Sequence, residues 1–176
     1  MVQEFCDKRG WQFCIIGGLA VQRWAEPRVT RDVDMTLLTG FGHEDLFIEA
    51  LSAAFPPRIA DHANFAKTTR VLLLGSPDNV GTDIAMGALP FEESAVSRAS
   101  RFRFNSGVEI RTCSAEDLIV MKLFAHRHQD IRDVETTVYR QHQKLDWKYI
   151  EEQLRPLVEL KEEPEILRTL ERVRKL

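Results

Sequence analysis

Ile16-Gly17-Gly18-Leu19-Ala20-Val21, followed by Pro27-Arg28-Val29-Thr30-Arg31-Asp32-Val33-Asp34, is the stretch that decides the fold. Phe13-Cys14-Ile15-Ile16 is a short apolar run, read as a buried strand that ends at the glycine pair. Leu19 to Ala25 reads as a helix stopped before Pro27, and Val33 to Leu38 as a second strand. On a strand, Asp32 and Asp34 point to one face, ~6.5–7 Å apart along it. Like charges that close repel unless a cation lies between them. Hard divalent ions such as Mg²⁺ take carboxylate oxygens and leave other positions for water and phosphate. Gly17 and Gly18 stand where strand turns into helix, small enough to let a phosphate approach the N–H groups of the helix N-terminus. Asp83, in Thr82-Asp83-Ile84 on a later strand, is placed to join as a third carboxylate. A glycine turn plus three metal-facing carboxylates is the equipment of two-metal phosphoryl transfer.

Rival readings of the same residues fail on context. Asp32-Val-Asp34-Met-Thr36 formally matches the DxDxT of haloacid-dehalogenase-type phosphatases, whose motif ends a buried parallel strand. Arg28-Val-Thr-Arg31 makes a poor buried strand. Gly17-Gly18 lacks both the GxGxxG pattern and a Walker lysine, which removes dinucleotide and P-loop readings.

Outward from the motif, residues 2–9 read as a short helix and 44–54 as a longer one closed by Pro56-Pro57. Strands are expected at 69–74 and 80–86, separated by a turn at Gly75–Asn79. Residues 102–104 and 108–111 flank Asn105-Ser106-Gly107 as a hairpin. From Ser114, a capping serine ahead of an acidic first turn, the pattern is helical throughout, near 115–127, 130–142, 146–158 and 164–175. The expected architecture is an α/β (α+β) lobe over 1–113 followed by a helical lobe over 114–176. If one helix runs through the start of the second lobe, Lys122, His126, Asp130 and Asp133 share a quadrant. Trp11, Trp24 and Trp147 read as packing residues. Arg98, Arg101 and Arg103 form a modest basic cluster, either a solvated surface or a contact for acceptor RNA.

Composition bounds the answer. With 176 residues, 44% hydrophobic and 29% charged, the chain buries a real core and is not disordered. A net charge of −3 excludes generic coating of nucleic acid. Three cysteines without CxxC spacing argue against a disulfide scaffold or zinc ribbon and fit a reducing cytoplasm. No apolar run is long enough to cross a bilayer, and no signal peptide is expected at the N-terminus.

The quoted residues resemble the nucleotidyltransferase superfamily that includes DNA polymerase beta, and within it the AbiEii/AbiGii-type toxin branch with its bacterial relatives. The resemblance continues through Ser114-Ala-Glu-Asp-Leu-Ile-Val-Met-Lys122-Leu-Phe-Ala125, then Arg127, Asp130 and Asp133, over residues 10–155. It implies a mixed β-sheet with packed helices, two Mg²⁺ ions, and transfer of a nucleoside monophosphate from an NTP. In that scheme Asp32 and Asp34 hold both metals. Asp83 helps hold one of them and draws a proton from the acceptor hydroxyl. Gly17 and Gly18 meet the phosphates, and Lys122 faces the cleft to neutralise the triphosphate, supported by Asp130 or Asp133. Many superfamily members carry Gly-Ser where this chain has Gly17-Gly18, so one expected phosphate ligand is missing. Gly-Gly is frequent in the AbiEii-like and antibiotic-modifying branches. The toxin-like branch implies an RNA or protein acceptor and an antitoxin partner. The antibiotic branch implies a small-molecule acceptor, an aminoglycoside or lincosamide. A third reading is a catalytically silent fold kept for partner binding. Neither the nucleotide base nor the acceptor is written in the sequence.

Overall fold

The computed structural model describes residues 1–76 and 80–176. Among them, six strands make one mixed sheet: β1 (Phe13–Ile16), β2 (Asp32–Leu38), β3 (Val71–Leu74), β4 (Gly81–Gly87), β5 (Ser100–Arg103) and β6 (Glu109–Thr112), in the order β3-β4-β2-β1-β6-β5. β2 runs parallel to β4 and β1 parallel to β6, while β1/β2, β3/β4 and β5/β6 are antiparallel. The helices are α1 (Val2–Lys8), α2 (Gly17–Trp24), α3 (Glu44–Ala54), α4 (His62–Thr69) and α5 (Pro90–Ser97), then α6 (Ala115–Ala125), α7 (His128–Gln141), α8 (Trp147–Lys161) and α9 (Glu165–Val173). The mixed sheet with packed helices that the resemblance implies is the architecture observed.

The chain divides into two compact units, Met1–Leu19 with Val29–Cys113, and Ala20–Arg28 with Ser114–Leu176. Residues 20–28 are tied to the second unit by Arg140 donating to the Ala25 carbonyl, by Gln141 donating to the Trp24 carbonyl at 2.9 Å, and by Arg28 on Asp133.

In the first unit the alternation of β2 fixes the two faces of the sheet. Met35 and Leu37 enter a buried cluster with Phe13, Ile84, Met86 and Leu72, while α1, α3 and α4 add Cys6, Leu51 and Ala66 to it. Trp11 packs beside it, tilted on Phe47 at 4.6 Å between ring centres. Asp32 and Asp34 alternate with those core residues and therefore belong to the opposite face. Burial of the Cys6 thiol, with Asp7 beside it, pushes that group up to about 12, so it stays a thiol at neutral pH.

Two helices of this unit are absent from the expected pattern. α4 carries Thr68, Thr69 and Asn64, weak helix formers, and Arg70 closes it at φ 57°, so β3 starts at Val71 rather than at residue 69. α5 has a legible start, with Pro90 in its first turn and the Glu92 carboxylate accepting from Ala88 and Leu89 N–H at 2.8 and 2.9 Å. The expected turn at Gly75–Asn79 lies partly outside the described residues, which omit 77–79.

In the second unit α6 packs against α7, α8 and α9. Leu118, Ile119, Val120 and Leu123 are all buried, so α6 is apolar around most of its girth, as a central helix must be. Ser114 caps it, its Oγ accepting from the Asp117 N–H at 3.1 Å, and Asp146 caps α8 in the same way through Tyr149 N–H at 3.0 Å. The helix does not run from Lys122 to Asp133. It stops at His126, which takes a left-handed φ of 55°, and α7 starts afresh at His128. The shared quadrant expected for a continuous helix is therefore replaced by a fold-back, and His126 meets Thr169 at 3.0 Å instead of Lys122 or Asp130. No described helix is long and apolar enough to cross a membrane.

Candidate active site

β2 and β4 run in parallel register with Asp34 opposite Asp83 and Asp32 opposite Gly81. Residues directly paired across parallel strands share a face, and i, i+2 residues share it too, so Asp32, Asp34 and Asp83 stand on one side of the sheet. Gly17 and Gly18 open α2 with no connecting loop after β1, and Ile16 at the end of β1 pairs with Asp34. The glycines have specific steric reasons. A Cβ on Gly17, whose φ is +58°, would overlap the Asp34 carboxylate, and one on Gly18 would overlap the Thr30 hydroxyl. Thr30 in turn donates to the Asp32 carbonyl at 3.1 Å, fixing the entry into β2. The helix start, the threonine and the two aspartates are thus packed as one piece.

A residue the sequence reading did not single out completes this face. Arg58 donates through Nη2 to Asp83, and its Nη1 lies 4.0 Å from Asp32 Oδ1. The side chains are 34% exposed for Arg58, 51% for Asp32 and 37% for Asp83, so the group is open to solvent. Arg58 follows Pro56-Pro57 on a segment that runs beside β3, where its N–H donates to the Leu73 carbonyl at 3.0 Å and Pro57 bridges Leu74. Nothing in the local sequence marks it, because the pairing depends on that tertiary neighbour.

Among the described residues no group of three or more histidine, cysteine, aspartate or glutamate side chains is drawn together as a finished metal cage. The donor chemistry nonetheless fits a hard cation. Three carboxylates share a face, and a guanidinium cation is already seated on two of them.

Lys122 sits in the second unit. Its Nζ lies 2.7 Å from Asp130 Oδ1 and 2.9 Å from Asp133 Oδ2, with the ammonium side chain 10% exposed. Arg127 adds its Nε to Asp130 at 2.6 Å, and Arg28 forks onto Asp133 through Nε and Nη2, both at 2.9 Å. Lys122, Arg127 and Arg28 therefore all meet the two buried carboxylates Asp130 and Asp133. Burial raises the Asp133 carboxyl, but hydrogen bonds from Arg28, Lys122 and Gln129 more than reverse it, leaving it at about 2. Asp130 is likewise lowered: burial opposes the shift, and the bonds from Arg127 and Lys122 outweigh it. The basic cluster of the hairpin is mostly neutralised within the first unit. Arg101 pairs with Asp7 at 3.0 Å and Glu109 at 3.6 Å, and Arg103 with Glu109 at 3.7 Å.

Comparison with known proteins adds a family and a fold. Residues 79–169 match the family model described as "Nucleotidyltransferase of unknown function (DUF6036)". Among solved structures, an antigenic nucleotidyltransferase-like protein from Paracoccidioides brasiliensis is similar at a TM-score of 0.54 and 16% identity, over 97% of this chain and 88% of that one. The antibiotic-resistance factor ANT(2'')-Ia, in complex with adenylyl-2''-tobramycin, is similar at a TM-score of 0.52 and 16% identity, over 89% and 92% of the two chains. Lincomycin-bound lincosamide adenylyltransferase LnuA gives 0.50 at 12% identity, over 77% and 91%. At these identities the likeness is one of fold. No curated protein matches the chain in sequence.

Proposed function

Because the chain belongs to the DUF6036 family of nucleotidyltransferases of unknown function, we propose that it moves a nucleoside monophosphate from an NTP to an acceptor hydroxyl, with Mg²⁺. The observation that carries this reading is the register of Asp34 with Asp83, one pleat from Asp32, beside the Gly17-Gly18 helix start and with a cation on the same face. Asp32 and Asp34 are the residues we assign to hold two metal ions, with Asp83 helping to hold one. When bound, Mg²⁺ offsets the charge of the triphosphate and eases loss of the acceptor hydroxyl proton. The protein's own part is to orient and to accept a proton. Asp83 takes the acceptor proton as the hydroxyl attacks the α-phosphorus and pyrophosphate leaves. The backbone N–H groups of Gly17 and Gly18, at the start of α2, are the donors we assign to phosphate oxygens. On the resemblance we assign Lys122 to nucleotide phosphate, with Asp130 and Asp133 as the carboxylates that orient its ammonium group.

For the acceptor, the resemblance to the AbiEii-type toxin branch favours RNA or protein, and with it an antitoxin partner in a reducing cytoplasm. A second reading, a small hydroxylic acceptor, is favoured by the fold shared with the tobramycin and lincomycin enzymes. Incubation with each α-³²P-labelled NTP, Mg²⁺ and separate pools of tRNA, total protein and aminoglycoside or lincosamide decides between them. Label in RNA or protein supports the first reading, and label in the antibiotic the second. Label from no NTP into any pool, or label undiminished by Asp83→Asn, contradicts the assignment.

A further inference from the structure

The sheet face that carries the three aspartates already holds a positive charge of its own. Arg58 spans two of them, bonding Asp83 and lying 4.0 Å from Asp32. Room for it is built in: a Cβ on residue 81 would overlap Asp32 Oδ1 and would lie 2.6 Å from Arg58 Nη1, so Gly81 leaves the space in which the guanidinium meets the carboxylate. The backbone leading into Arg58 is fixed along β3 and its end, by Arg58 N–H on the Leu73 carbonyl and by Gly75 N–H on the Pro56 carbonyl at 2.8 Å. Beyond that anchored backbone the side chain is long, jointed and 34% exposed, which leaves it the freedom to swing.

We propose that Arg58 is the resident counter-ion of Asp32 and Asp83, and that a divalent cation binds this face only by displacing its guanidinium. The proposal rests on the metal reading given above and adds a residue to it. Carboxylate oxygens that accept from Arg58 cannot at the same moment give those lone pairs to a metal ion. Two unbalanced aspartates at the paired strand ends would repel. Arg58 relieves that repulsion in the metal-free protein, and its release is the cost set against metal entry. The metal affinity of the face is therefore set partly by an arginine that is not a metal ligand.

The test is titration of Mn²⁺ alone, with unbound ion followed by its paramagnetic resonance, on the full chain and on Arg58→Ala, Arg58→Lys and Asp83→Asn. Removing a partly exposed competitor is expected to tighten Mn²⁺ binding about fivefold in Arg58→Ala. Arg58→Lys falls between that and the wild type, and Asp83→Asn weakens binding. Equal or weaker binding in a folded Arg58→Ala overturns the proposal and leaves the metal reading standing. Absence of Mn²⁺ binding from both wild type and Arg58→Ala removes the metal reading and the proposal with it. Binding by Arg58→Ala alone supports the proposal in its strongest form. Should Arg58→Ala fail to fold, the wild type suffices: adding Mg²⁺ must move the Arg58 side-chain NMR signals toward those of a solvated arginine. Signals unmoved at Mg²⁺ saturation overturn displacement.

Discussion

At position 17 a methyl group would meet the Asp34 carboxylate, and the backbone already stands at φ +58°. Gly17→Ala therefore combines strain with the displacement of a proposed metal ligand. It is expected to lower stability by roughly 1–3 kcal/mol in urea denaturation and to abolish nucleotide binding. The opposite result, wild-type stability with binding intact, means that Asp34 does not lean over Gly17. The glycine pair and both aspartates are legible in the sequence because their spacing follows strand and helix periods. Their contacts with Thr30 are half legible: the threonine stands in the motif, but its bond to the Asp32 carbonyl needs the chain to curl. Arg58 is not legible at all. Clustered acids need a cation beside them, and Arg58 supplies one from within the chain.

Among the elements, the α6–α7 corner holds a buried charge cluster. Lys122→Met removes the cation shared by Asp130 and Asp133 but leaves Arg127 and Arg28 in place. Its cost is expected near the low end for a broken buried pair, about 3 kcal/mol, read from the shift in urea midpoint. The same corner sets an acid limit. Asp133 is held at about 2 in the folded chain, whereas an unfolded aspartate titrates near ~3.9. The folded value is depressed, so its contribution is complete above the unfolded value and disappears as pH falls through the folded one. Asp130 is lowered in the same direction and acts in the same sense. Stability followed by circular dichroism is expected to fall between about pH 4 and about pH 2, and to fall less steeply in Asp133→Asn. An equal acid slope in the two chains contradicts the pairing. The corner is partly visible in sequence: Lys122, Asp130 and Asp133 stand at helical spacing, and separate helices are read near 115–127 and 130–142. The left-handed turn at His126, by contrast, is a tertiary choice that periodicity does not encode. α5 is the converse case, since Pro90 and Glu92 announce its start. α4 announces nothing, being short and made of weak helix formers.

For the whole molecule, fold class and chemistry come from different kinds of signal. An α/β lobe followed by helices is legible from short apolar runs, glycine breaks and a change to helical texture at Ser114. The mixed sheet is what the resemblance implies, and the fold is similar to those of the nucleotidyltransferase-like structures. The grouping of residues 20–28 with the helices is invisible to such patterns, because it depends on Arg140, Gln141 and Asp133 more than a hundred positions away in the chain. The acceptor is invisible for a further reason: it is recognised by surface shape and charge, which no strand or helix period records. The claim on which everything else depends is metal-dependent nucleotide binding at the three aspartates. Calorimetric titration of each NTP with Mg²⁺, on the wild type and on Asp32→Ala/Asp34→Ala, tests it most directly. The account predicts heat of binding for at least one NTP that needs Mg²⁺ and vanishes in the double variant. Absence of binding to the wild type at millimolar Mg²⁺, or binding that the double variant retains, contradicts it.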